Sequence, residues 1–214
     1  MQVMIHAVPS RMWYVEGFLV PSLRAQGIEP QLYVDARQLG NLGACLDSFR
    51  QCYGDGTWHI QDDVLICRNF AERAAANDRG VVNGFCCVLF GEDDPEQTGT
   101  VIPRHFWHGF PCVRIPDDYA RDFVRWIETG THTAYANKLI RRGKGDDYLF
   151  HEYFRNVHPK DKARNIAPNL VEHVDDLLGG SVANTWREKP ARSALWDEPE
   201  SVERLAAEIK ARSR

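Results

Sequence analysis

Two adjacent carboxylates, Asp62 and Asp63, close the apolar, β-rich run Trp58-His59-Ile60-Gln61. A strand that delivers hard oxygen ligands to its own carboxyl end suits a divalent cation such as Mg²⁺ or Mn²⁺ beside a phosphate, whose oxygens complete the shell. The chemistry this suggests is departure of a phosphate leaving group with a metal to take up the charge. The same doublet also suits the N-cap of a helix starting near Val64, since Asp is a preferred N-cap residue.

The elements around the doublet decide between these readings. Residues 3–8 form a short apolar run broken by Pro9-Ser10, and residues 13–25 carry apolar positions at helical spacing before Gly27. Residues 31–34 resume a strand that ends at Asp35, and residues 39–53 give a second amphipathic segment closed by Gly54-Asp55-Gly56. Strands alternating with helix-length segments indicate βαβ units and a parallel sheet covered on both faces. Ligands of such sheets bind outside the carboxyl ends of the strands. Three loops are expected to converge there: Pro9-Ser10-Arg11, Asp35-Ala36-Arg37 and Gln61-Asp62-Asp63. That convergence favours a metal site over a cap.

Beyond Arg79 the pattern predicts strands at residues 81–90 and 109–115 and a helix at 117–128 N-capped by Asp117 or Asp118. The second half therefore reads as a mixed sheet. The fold class is α/β, with a βαβ half over residues 1–80, a mixed half over 81–196, and a tail over 197–214 with a helix near 201–211. With 214 residues and 43% hydrophobic content, one well-buried domain is expected.

A net charge of -4 argues against an all-over basic nucleic-acid protein. The cysteines include no CxxC pair, which points away from zinc, and Cys86-Cys87 sits in an apolar run where free Cys serves as core. No apolar run approaches the ~20 residues of a membrane span, and the N-terminus lacks a signal pattern. A soluble protein of the cytoplasm is expected.

Four segments carry a resemblance: Ile5-His6-Ala7-Val8-Pro9-Ser10-Arg11, Gln61-Asp62-Asp63, Gly145-Asp146-Asp147, and Ala167-Pro168-Asn169-Leu170-Val171-Glu172-His173. In order and spacing the chain resembles small glycosyltransferases of the GT-A fold, and in particular the compact sugar transferases of bacteriophages. The resemblance implies a single GT-A-like domain over residues 1–196, in which 1–80 is the Rossmann-type nucleotide-binding half and 81–196 the acceptor and catalytic half, and a sugar-nucleotide donor, with Asp63 and His173 as ligands of Mn²⁺ or Mg²⁺. Pro9, Ser10, Arg11, Asp35, Gln61 and Asp62 would contact the donor, and Arg187 and Arg192 would close over its diphosphate. Gln61 departs from the family pattern, which has Asp there, so its contacts carry no charge. Asp146-Asp147 is similar to the acidic pair of inverting enzymes, in which the second carboxylate is the base; this makes Asp147 the candidate, with capping of a helix as the other reading.

Phage enzymes of this kind imply a hydroxymethylated base in DNA as acceptor. Lys138, Arg141, Arg142 and Lys144, continued by Arg155, Lys160, Lys162 and Arg164, could track a phosphate backbone, and Trp107 and His108 could stack on an extruded base. A glycan or protein acceptor fits the same residues. Two rivals stand beside this reading. One is a binding module without turnover. The other is a nucleotidyltransferase, against which the absence of a Gly-rich phosphate loop counts. The sequence is silent on oligomeric state.

Overall fold

The computed structural model describes residues 1–52, 54–85, 110–142, 145–166, 169–175, 177–179 and 199–212. Three parallel strands form one side of the main sheet: β1 (Gln2–Ala7) lies between β2 (Gln31–Val34) and β3 (Thr57–Gln61), with Ile5 opposite both Leu32 and Ile60. On the far side of β3 come β6 (Cys112–Ile115) and β5 (Val82–Asn83), each antiparallel to its predecessor in the sheet, and then β7 (Arg164–Asn165) parallel to β5. The described strand order is β2-β1-β3-β6-β5-β7. Parallel neighbours need a crossover, and the sequence supplies a helical segment after β1 and another after β2. The mixed α/β architecture expected from the sequence is the one observed.

The pleat sorts the side chains. Val3, Ile5, Ala7, Trp58 and Ile60 face one apolar cluster, filled by Tyr14, Val15, Phe18 and Leu19 from the helical run 9–24. That run consists of a 3₁₀ turn at Pro9–Arg11, α1 (Met12–Tyr14), a π turn at Val15–Leu19 and α2 (Val20–Arg24), and α4 (Phe70–Ala75) adds Phe70 and Ala74 to the same cluster. The opposite face is covered by α3 (Gly40–Phe49), α5 (Asp117–Glu128), α6 (Ala134–Arg141) and α7 (Asp146–Val157), which bury Phe49, Phe123, Phe150 and Tyr153. At the C-terminus Ile209 of the last helix, Pro199–Arg212, is fully buried in the first cluster, and the Arg212 guanidinium lies 4.9 Å from the centre of the Phe18 ring. No helix among the described residues is long and apolar enough to cross a membrane.

One alternative reading falls and two expectations change. The segment after Asp63 is a strand, β4 (Val64–Ile66), paired antiparallel with β8 (Val171–His173), and not a helix. All three β4 residues are apolar and buried and pair in register with β8, so Asp62 and Asp63 form a turn between strands and not the cap of a helix. At α5 the N-cap is Pro116, with no side-chain cap. Asp117 instead accepts a hydrogen bond from Thr57 Oγ1 at 2.9 Å, and Asp118 accepts one from the Tyr119 backbone N–H at 2.9 Å. Third, the helix expected over residues 39–53 closes at Phe49, and the strand expected over 109–115 begins at Cys112. Residues 86–90 of the expected 81–90 strand lie outside the described residues.

Beneath α3 two imidazoles meet, with His6 Nε2 2.8 Å from His59 Nδ1. Burial lowers His6 to about 4, and burial followed by the charge of His6 holds His59 well below its usual value. Below pH 6.5 the unfolded chain therefore binds protons that the folded chain does not, and stability declines as pH falls, levelling for His6 only near its folded value. His6 alone should remove about 3 kcal/mol by that point. Urea midpoints at pH 7, 5.5 and 4.5 should fall steeply for the native chain and less steeply for His6→Asn; parallel pH profiles would refute the assignment.

Candidate functional site

The site is built where β1 and β3 end. As β1 gives way to the helical run, the Val8 backbone N–H donates to Asp62 Oδ2 at 2.7 Å. Arg11, the last residue of the 3₁₀ turn, sends Nη1 to Asp62 Oδ1 at 2.9 Å and to Asp63 Oδ2 at 2.8 Å. Tyr14 then donates to the Val64 carbonyl at 2.6 Å, which ties α1 to the strand after the doublet. From the other side β8 delivers His173, whose Nε2 lies 3.3 Å from Asp63 Oδ2, and the Val174 N–H holds the Asp63 carbonyl at 2.7 Å. The Asp63 side chain is thus positioned by two separate segments and by its own backbone.

Arg11, Asp62, Asp63, His173 and Asp175 are all at least nine-tenths buried. Burial opposes the Asp63 carboxylate, yet hydrogen bonding and charge from His173, then the same from Arg11, hold it below the usual carboxylate range. Asp62 moves the other way, raised by burial and by the charge of Asp63 more than Arg11 and the Val8 N–H lower it. For Arg11 burial disfavours the charge, but Asp63 and Asp62 outweigh it and the guanidinium is held firmly protonated. Asp63 is therefore the more readily ionised of the pair.

One atom is left over. Asp63 Oδ1 is buried and has no hydrogen-bond partner among the described residues, and a buried carboxylate oxygen left unmatched is costly. Among the described residues no group of three or more His, Cys, Asp or Glu is set to hold a metal ion. Two protein donors, Asp63 and His173, with phosphate oxygens and water in the remaining positions, are nevertheless a chemically reasonable shell for Mn²⁺ or Mg²⁺. The 3.3 Å between Asp63 Oδ2 and His173 Nε2 is near the separation of adjacent ligands in an octahedral shell. Such a group fits these residues.

The other strand-end loop joins the same edge. The Asp35 backbone N–H donates to the Ala7 carbonyl at 2.9 Å, and Asp35 Oδ1 accepts the Leu39 N–H at 2.9 Å, closing the loop before α3. Pro9 and Ser10 are exposed at the rim and Gln61 is partly buried. The three loops named from the sequence therefore meet.

Asp146 and Asp147 open α7 behind Gly145, where a side chain would collide with the Asp147 carboxylate. Asp147 Oδ1 accepts the Tyr148 N–H at 2.8 Å. Burial, and then the charge of Asp147, push Asp146 up to about 7. One turn on, the Phe150 ring packs 5.5 Å from Phe110, next to Pro111, whose carbonyl accepts the Gln61 N–H at 3.1 Å. At its other end α7 brings His158 onto Tyr119, near the start of β3. The acidic end of α7 thus lies toward the edge of the sheet that carries the doublet. Arg141 and Arg142 are exposed at the end of α6. Trp107, His108, Lys144, Arg187 and Arg192 lie outside the described residues, as do Ala167 and Pro168 of the segment leading to His173.

Two features escaped the sequence reading. Asp175 Oδ1 lies 3.6 Å from His173 Nδ1, a buried carboxylate behind a candidate ligand, and the His-x-Asp spacing after an apolar strand was the available signal. The second is that Arg11 pairs with the carboxylates; no local pattern announces a contact between residues so far apart in sequence.

No protein-family model and no curated protein matches the chain. Solved structures of similar chain path include the inositol-1-phosphate CTP transferase from T. maritima, 12% identical, covering 97% of this chain and 76% of that one at a TM-score of 0.42. S. aureus TarS 1-349 in complex with UDP-GlcNAc is 13% identical, covering 98% and 66% at a TM-score of 0.47. A glycosyltransferase involved in the glycosylation of the major capsid of PBCV-1 is 10% identical, covering 79% and 82% at a TM-score of 0.40. Likenesses at these identities and scores leave the activity of this chain to be argued from its own site.

Proposed function

We propose that the chain is a glycosyltransferase that moves a sugar from a nucleoside-diphosphate sugar to a hydroxyl acceptor. The observation that carries this reading is the buried, ionised Asp63 with an unmatched Oδ1, set beside His173 at the edge where three strand-end loops meet. A divalent cation held by Asp63 and His173 would stabilise the charge that develops on the departing diphosphate. The exposed Pro9-Ser10 rim and Asp35 would hold the nucleoside, and Gln61 would add uncharged hydrogen bonds. Arg11, held by Asp62 and Asp63 at the same strand end, would serve the diphosphate once freed from them, and Arg187 and Arg192 are proposed to approach it from the tail.

The acceptor hydroxyl loses its proton to the acidic pair of α7. In place of Asp147, the base expected from the resemblance, the base proposed is Asp146, which burial and the charge of Asp147 raise to about 7, close to working pH. Asp147 keeps that affinity high through its own charge. For the acceptor we propose a hydroxymethylated base in DNA, supported by exposed Lys138, Arg141 and Arg142 along α6, which ends next to α7, with Trp107 and His108 as candidate stacking rings.

Product analysis tests the reaction class. The chain, given a panel of sugar nucleotides with Mn²⁺ and hydroxymethylated DNA, should release nucleoside diphosphate and label the DNA with sugar. Pyrophosphate in its place would assign nucleotidyl transfer, and nucleotide binding without any product would assign a binding module.

A further inference from the structure

The seat between Asp62 and Asp63 already holds a positive charge. A single nitrogen of Arg11 bridges both carboxylates, at 2.9 and 2.8 Å, which is the position that a small cation shared by the two would take. Arg11 is only 5% exposed, so it cannot meet a diphosphate arriving from solvent while it stays there. Asp63 Oδ1, on the same carboxylate, is buried without a hydrogen-bond partner among the described residues, a lone pair that a cation entering the seat would match.

We propose that Arg11 is an exchangeable resident cation, which holds Asp62 and Asp63 in the donor-free protein, competes with a divalent cation for them, and moves to the diphosphate once cation and nucleotide load together. This rests on the donor-site reading given above. The argument is one of charge. With Arg11 in place, an incoming Mn²⁺ would put three positive charges on two carboxylates in a buried setting, where like charges repel strongly. The cation alone is therefore held weakly. A diphosphate supplies the missing negative charge, so that Arg11 can leave the carboxylates for a phosphate it binds well. Nucleotide and metal should then raise each other's affinity by the same factor.

The test reads Mn²⁺ binding from the loss of the free-ion electron paramagnetic resonance signal, with Mn²⁺ alone and no nucleotide. Arg11→Met should bind Mn²⁺ at least about tenfold more tightly than the native chain, well within what separating a buried ion pair costs. Adding Asp63→Ala should erase that gain. If Arg11→Met fails to fold, as judged by circular dichroism, Arg11→Lys carries the test. Its point charge cannot reproduce the geometry of the guanidinium, so a smaller gain of several-fold is expected. Unchanged or weaker Mn²⁺ binding in the folded variant overturns the exchange. That result together with sugar transfer by the native chain would leave the proposed function standing, whereas tighter Mn²⁺ binding without transfer of any sugar would keep the exchange and remove the function.

Discussion

Asp146→Asn is expected to lower turnover about 10²- to 10⁴-fold while nucleotide affinity stays as it was. The amide keeps the size and the helix-start position of the carboxylate but cannot take a proton. Asp147→Asn separates the two roles. Removing the neighbouring negative charge takes away the second cause of the raised Asp146 value, so the acid limb of the pH-rate profile should move to lower pH. In the native chain turnover should fall as pH drops through about 7, because the base must be unprotonated to act. In Asp147→Asn it should persist to lower pH, somewhat reduced at the plateau because a weaker base drives proton transfer less. Profiles of kcat from pH 5 to 9 for the three proteins decide the matter. If Asp147→Asn costs as much as Asp146→Asn and its limb does not move, Asp147 is the base; if neither variant loses rate, the acidic end of α7 takes no part in the chemistry.

The first half of the fold was legible because its signals are local. Alternating apolar runs at β1, β2 and β3, each followed by a loop with Pro, Asp or Gly, fix a parallel βαβ arrangement, and that arrangement alone predicts that residues 9–11, 35–37 and 61–63 share an edge. The segment after Asp63, for which a capped helix was the alternative reading, shows the limit. Val64-Leu65-Ile66 is too short for its periodicity to separate strand from helix, and its state depends on β8, which lies far along the chain. The same long-range pairing brings His173 against Asp63, and no spacing rule within either segment could give that distance. His6 and His59 follow from strand parity once β1 and β3 are known to be neighbours, but their depth does not, since it depends on α3 covering that face. Most of what remained hidden is of this kind: side-chain pairs whose partners are set by packing between elements.

Asp63→Asn and Asp62→Asn should differ sharply although the residues are adjacent. Asp63 is the more readily ionised member, it touches both Arg11 and His173, and it holds the unmatched oxygen. Its conversion to Asn removes the charge of the proposed metal ligand, and turnover should fall about 10³-fold, the several kcal/mol that a bound cation supplies to a developing phosphate charge. Stabilisation of the folded chain by Mn²⁺ with nucleotide, read as a rise in Tm, should vanish with it. Asp62 instead accepts the Val8 N–H and shares Arg11, so its work is to fix the loop after β1. Asp62→Asn should lower stability by about 1 to 3 kcal/mol, the range for hydrogen bonds to a charged group, and reduce turnover far less. Urea unfolding and kcat measured on both variants separate a ligand from a brace. Equal losses of activity would make the doublet a single functional unit, and full activity in Asp63→Asn would take the catalytic centre away from this end of the sheet.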